Sequence, residues 1–140
     1  MMVLVDTSIW SLALRRRSAD LSPEQERLRQ ELSELIREGR ARLLGPIRQE
    51  LLSGIREESQ YRRLRDHLRA FDDVTLRTED YERAAALSNH CRARGVSGSA
   101  IDFLICAAAI RLQWPVLTTD SDFRVYARHI PIKLFGHHSH

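Results

Sequence analysis

Lysine is almost missing from this 140-residue chain: 21 of its 22 basic residues are arginine, and Lys133 stands alone. Chemistry that needs a catalytic amine therefore has a single candidate. Guanidinium forks suit phosphate oxygens, although an arginine-favouring coding bias would give the same composition. Cysteine is scarce too. Cys91 and Cys106 belong to no CxxC pair and no Cys/His ligand pattern, which argues against a zinc site or a disulfide framework and leaves two reduced, buried thiols. Aromatics make up only 6% of the chain, so base stacking is not expected to dominate any nucleic-acid recognition. No apolar run approaches the roughly 20 residues of a membrane span, since the longest, 101–110, contains Asp102. There is no basic n-region or signal core at the start, and a cytoplasmic location without membrane contact is expected. The net charge of +3 is modest and does not by itself imply a polyanion partner.

What is present is an apolar fraction of 43%, enough for one domain with a real core. The run VLVDTSIW at 3–10 reads as a buried strand that delivers Asp6 to its carboxyl end, followed by a short helix at 8–14. Ser22, Pro23 and Gln25 are a helix start with cap, proline and reaching side chain, and Gly39 is placed to end that helix. Residues 41–44 form a second strand candidate. Pro46 opens a helix with Ile47, Leu51 and Ile55 on one stripe and Glu50 off it. A helix over 61–71 has an arginine-rich outer face. Residues 74–76 follow as a strand, Thr78 is placed to cap a helix running to 95, and 100–113 is the most apolar helix. A strand at 115–117, a turn with a short helix at 120–128 and a fifth strand at 130–135 complete the pattern. Strands alternating with helices predict an α/β domain over 1–135: a mainly parallel five-stranded sheet flanked by helices. The histidine-containing tail at 136–140 is expected to be disordered and is given no role.

Four acidic residues stand at comparable junctions. Asp6 and Asp120 follow strands, Asp102 opens the apolar helix, and Glu50 lies on a polar helix face. Each has an ordinary explanation taken singly. Asp6 suits a helix cap, Ser99 and Asp102 have capping-box spacing, Asp120 and Asp122 suit an Asx-turn, and Glu50 suits a solvated face. Together they change the expectation, because residues just after parallel strands line one crevice. Clustered carboxylates at neutral pH hold either protons or cations, and oxygen-only ligands select Mg²⁺ or Mn²⁺. That arrangement suits phosphodiester cleavage.

Four stretches carry a resemblance: VLVDTSIW at 3–10, RQELLSGI at 48–55, SAIDFLICAAAI at 99–110 and LTTDSDF at 117–123. In order and spacing the chain resembles the PIN-domain ribonucleases, specifically VapC-type toxins of bacterial toxin–antitoxin operons. The resemblance implies a PIN-like three-layer sandwich and a Mg²⁺- or Mn²⁺-dependent endoribonuclease acting on tRNA or rRNA. It implies that Asp6, Glu50, Asp102 and Asp120 are the catalytic, metal-binding quartet, with Asp122 an accessory ligand or a residue that supports the ligands from just behind them. Thr7, Ser8 and Thr119 match hydroxyl positions that bond the carboxylates or a metal water. It further implies a homodimer silenced by a cognate antitoxin. Arg15, Arg16, Arg17, Arg62 and Arg65 are candidates for guiding the RNA backbone, and Trp10 is read as a core or antitoxin-groove residue. The alternative is a catalytically silent PIN-like module that binds RNA or protein. A haloacid-dehalogenase-type phosphatase needs a second Asp where this chain has Ser8, and a response-regulator receiver needs an acidic pair and a lysine loop that are not here.

Overall fold

A computed structural model of the protein describes residues 1–136, so residues 137–140 of the expected tail lie outside the described residues. Four short strands, Val3–Val5 (β1), Ala41–Leu44 (β2), Asp73–Val74 (β3) and Val116–Leu117 (β4), form a wholly parallel sheet in the order β3-β2-β1-β4. Seven α-helices among the described residues flank it: Thr7–Leu14 (α1), Pro23–Arg37 (α2), Gly45–Leu52 (α3), Glu58–Leu68 (α4), Thr78–Arg92 (α5), Ala100–Leu112 (α6) and Asp122–Ala127 (α7). β1 is inaccessible at all three residues, as a strand covered on both faces and both edges must be. The chain builds outward from β1 to β2 and β3, then returns to place β4 on the other side of β1. The switch point of the sheet therefore lies between β1 and β4.

The helix ends follow local chemistry. Ser22 and Gln25 form a reciprocal capping box at the start of α2. At its end the Arg40 amide reaches Leu35 O and the Gly39 amide reaches Ile36 O, with Gly39 at φ +70°. This is the left-handed turn that closes a helix and that glycine adopts without strain. α6 is buried continuously from Phe103 to Ala109, because the small side chains Cys106 and Ala107 to Ala109 let it press closely on its neighbours. Cys91 and Cys106 are free and buried, as expected.

Two features differ from expectation. The fifth strand at 130–135 is reduced to a single parallel bridge between Val116 and Leu134, held by Val116 N–H to Lys133 O and Phe135 N–H to Val116 O. Pro131 has no N–H for a ladder, and the Ile132 amide turns back to Ile130 O. α5 is capped not by the Thr78 hydroxyl but by Asp80, whose Oδ2 accepts the Arg77 amide at 2.9 Å. Among the described residues no helix is long and apolar enough to cross a membrane.

Candidate active site

The carboxyl edges of β1 and β4 lie side by side, because the register pairs Val5 with Leu117 and the Asp6 amide donates to Leu117 O. Asp6 and Thr118, the next residues on the two strands, consequently face each other. Asp6 makes no side-chain cap to α1. Instead its Oδ2 accepts two hydroxyls, Ser8 Oγ at 2.8 Å and Thr118 Oγ1 at 2.8 Å. Each hydroxyl also accepts an amide from the loop after β4: Ser8 from Thr119 at 3.0 Å and Thr118 from Asp120 at 2.9 Å. A hydroxyl can donate once and accept as well, so the pair lashes the two strand ends together while keeping Asp6 in place. Asp6 is only 7% exposed. Burial raises its pKa above the usual carboxylate value, and the hydroxyl bonds offset part of that rise.

Asp102 is the third residue of α6. Its amide is spent on the Ser99 cap at 3.0 Å, and its Oδ2 accepts the hydroxyl of Tyr126, on α7, at 2.7 Å. Burial raises its pKa, hydrogen bonds from Tyr126 and Ser99 lower it, and the charges of Asp6 and Asp120 raise it again. Asp120 Oδ1 accepts the Asp122 amide at 2.9 Å, an Asx-type turn that starts α7. One carboxylate oxygen from each of Asp102, Asp120 and Asp122 lies within 4.8 Å of the others.

Glu50 is exposed on α3 and lies outside this trio. It joins the site through Thr7, whose hydroxyl donates to Glu50 Oε1. α3 itself is pinned by Arg48, which bonds Asp73 Oδ1 at 2.8 Å and Leu68 O at 2.9 Å. Of the hydroxyl residues read from the sequence, Thr7 and Ser8 bond carboxylates, whereas Thr119 contributes its backbone N–H. The threonine hydroxyl after β4 that reaches Asp6 belongs to Thr118. Trp10 is fully buried, donates to Val5 O at 3.0 Å and packs edge-on against Phe71.

The candidate RNA-guiding arginines separate. Arg62 is paired with Glu58 and Arg65 with Asp66, and Arg16 and Arg17 are exposed after α1. Arg15 lines a groove of about 500 Å³ together with Arg56, Arg63 and His67, over a floor that includes Leu14, Ile55 and Leu64. Among the described residues no carboxylate lines this groove. Arg63 belongs to the arginine-rich helix face already read from the sequence, whereas Arg56 and His67 carry no signature there beyond ordinary surface charge and are marked only by their convergence with Arg15 and Arg63.

Among the described residues the edge offers oxygen donors: carboxylates supported by hydroxyls. That set suits a hard divalent cation. A family model of the PIN domain matches residues 3–129. No curated protein gives a significant match. Among solved structures the chain is similar to the crystal structure of FitAcB from Neisseria gonorrhoeae, with a TM-score of 0.75, 21% identity and coverage of 96% of this chain and 97% of that one. It is similar to VapBC2 from Rickettsia felis bound to a DNA fragment from their promoter, with a TM-score of 0.71, 16% identity and coverage of 96% and 97%. It also matches a toxin–antitoxin complex from Klebsiella pneumoniae, with a TM-score of 0.64, 21% identity and coverage of 86% and 89%. At these identities the likeness is one of fold.

Proposed function

The chain belongs to the PIN-domain family, and from that premise we propose that it is a Mg²⁺- or Mn²⁺-dependent endoribonuclease, the toxin of a toxin–antitoxin pair. The observation that carries this reading is the meeting of Asp102, Asp120 and Asp122 oxygens within 4.8 Å at the sheet's switch point, beside Asp6. Asp6, Asp102 and Asp120 are the principal ligands in this reading, Asp122 is accessory, and Glu50 orients the attacking water from the rim. A divalent cation held there supplies Lewis acidity, neutralising charge on the scissile phosphate and acidifying water. The protein's own part is placement: Ser8 and Thr118 fix Asp6, and Tyr126 fixes Asp102.

An antitoxin partner is part of the proposal because the similar structures named above include toxin–antitoxin complexes. So are a homodimer and an RNA substrate, with tRNA or rRNA as the first targets to try. Purified protein free of any partner should cleave such RNA with Mg²⁺ or Mn²⁺, stop on chelation, and fail as Asp120→Asn. RNA binding without cleavage under all these conditions would instead identify a silent binding module. Cleavage that survives both chelation and Asp120→Asn would overturn the metal assignment.

The RNA path in this reading is the arginine groove. It opens at the end of α1, about 12 Å along the helix from Thr7 at the site. Arg15→Glu with Arg63→Glu should raise KM and leave kcat and Mn²⁺ binding nearly unchanged. The slope of log affinity against log salt should fall by about 0.7 for each single-strand phosphate that the groove no longer neutralises. Arg62→Glu, at a residue already paired with Glu58, serves as the comparison and should change binding far less. An equal response in both variants would place the RNA elsewhere.

A further inference from the structure

Tyr126 is a tyrosine with no access to solvent, set in an aromatic cluster with Phe103 and Phe123 at ring-centroid distances of 4.9 and 5.3 Å. A phenylalanine would fill such a place equally well, and the hydroxyl is what needs explaining. It has one bonding partner among the described residues, Asp102 Oδ2 at 2.7 Å.

The loop before α6 is shaped to let it through. A Cβ at Gly98 would stand 2.1 Å from the Tyr126 hydroxyl oxygen, 2.7 Å from Cζ and 2.9 Å from Phe103 Cε2. Any side chain at 98 would therefore push the phenol off its line to Asp102. Two independent features, a buried hydroxyl and a glycine required by close approach, thus serve a single contact.

We infer that Tyr126 is a positioning residue that, led past Gly98, ties down Asp102 Oδ2 so that the carboxylate meets a cation through its other oxygen alone. This rests on the metal-site reading above and adds to it a residue and a selectivity. Mg²⁺ and Mn²⁺ sites use single carboxylate oxygens together with waters in near-octahedral arrangements, whereas Ca²⁺ readily takes both oxygens of a carboxylate. Holding one oxygen on Tyr126 therefore favours the smaller ions. Releasing it removes that bias and also leaves Asp102 without a fixed orientation.

The test compares Mn²⁺ and Ca²⁺ binding to the full-length, partner-free protein by calorimetry, with free Mn²⁺ followed independently by its electron paramagnetic resonance signal. Tyr126→Phe keeps the ring packing and removes only the hydroxyl. Its Mn²⁺ Kd should rise about 10- to 100-fold, the range found when an outer partner of a metal ligand is removed. Its Ca²⁺ Kd should change by less than about threefold, because a freed second oxygen offsets the lost orientation. Gly98→Ala retains the phenol but displaces it, and should shift the same ratio in the same direction. That variant decides the matter if Tyr126→Phe does not fold. Unchanged Mn²⁺ binding, or equal weakening of both ions, would overturn the positioning role while leaving the metal site standing. Failure of the unaltered protein to bind Mn²⁺ at all would overturn both.

Discussion

Asp6→Asn should abolish cleavage and at the same time make the metal-free protein more stable. In the proposed role Asp6 is a principal ligand, and replacing one removes several kcal/mol of transition-state charge stabilisation, about 10²- to 10³-fold in rate. The opposite effect on stability follows from where Asp6 sits. It is nearly inaccessible, burial raises its pKa above the ordinary 3.8, and its charge helps to raise that of Asp102. A carboxyl whose folded pKa exceeds its unfolded value adds stability below the unfolded value and loses it as pH rises through the folded one. In chelator, the melting temperature of the unaltered protein should therefore carry a falling contribution as pH climbs above 3.8. Asp6→Asn should lack it, because the amide needs no proton to be neutral. Ser8 and Thr118 can turn their hydroxyls to suit the new group. Adding Mn²⁺ should raise the melting temperature of the unaltered protein and do little for the variant. A variant that melts below the unaltered protein at neutral pH in chelator would contradict this account of Asp6.

The largest purely structural effect is expected at Arg111. Its guanidinium binds Asp80 through both carboxylate oxygens, at 2.7 and 2.9 Å, and also donates to Thr75 O at 2.9 Å. The fork ties α5 to α6 and to the segment after β3. Asp80 is 2% exposed while Arg111 keeps 22% of its side chain in contact with solvent. Arg111→Met would leave a buried carboxylate with the Arg77 amide as its remaining donor. Breaking a buried pair on one side costs about 3 kcal/mol at the lower end of the usual range, appropriate here because Arg111 is partly solvated. That corresponds to a drop in melting temperature on the order of 10 °C for a chain of this size.

The sign with pH is also fixed. Arg111's hydrogen bond, more than any other influence, holds the Asp80 pKa below 3.8, so the pair stabilises above that value and its contribution is lost as pH falls through the depressed pKa. The deficit of Arg111→Met should shrink on acidification, where the orphaned carboxyl can take a proton. Asp80→Leu combined with Arg111→Met should recover most of the loss, since the buried charge goes with its partner. Cleavage per folded molecule should be unaffected, as Arg111 lies nine residues, about 14 Å, along α6 from Asp102.

The elements that place the site were legible because their signals are local. Val3 to Val5 end at an acidic residue, Asp102 opens an unbroken apolar helix, and Thr118 to Asp122 follow a strand. What was not legible depends on register or on distant partners. Thr118 and Thr119 are indistinguishable as neighbours in sequence, and only the pairing of Val5 with Leu117 turns Thr118 toward Asp6. Tyr126 reads as one more apolar position of a short helix until the fold brings it to a carboxylate 24 residues away. Asp80 looks like any acid in a first helical turn, and its burial follows from the packing of α6. The 130–135 stretch has the composition of a strand, but one proline removes the amide that a full ladder would need.

The position of β1 also has a consequence in time. The bond between Asp6 and Thr118 spans 112 residues of sequence, and contacts of such separation form late, after the entropy of closing a long loop has been met. Since synthesis runs from the N-terminus, Asp6 leaves the ribosome long before its partners exist. A nascent chain that has not reached Val116 lacks Thr118, Asp120 and Asp122 altogether. In the proposed role, an enzyme able to cut the RNA of the machinery making it would stay harmless until Thr118, Asp120 and Asp122 had been added.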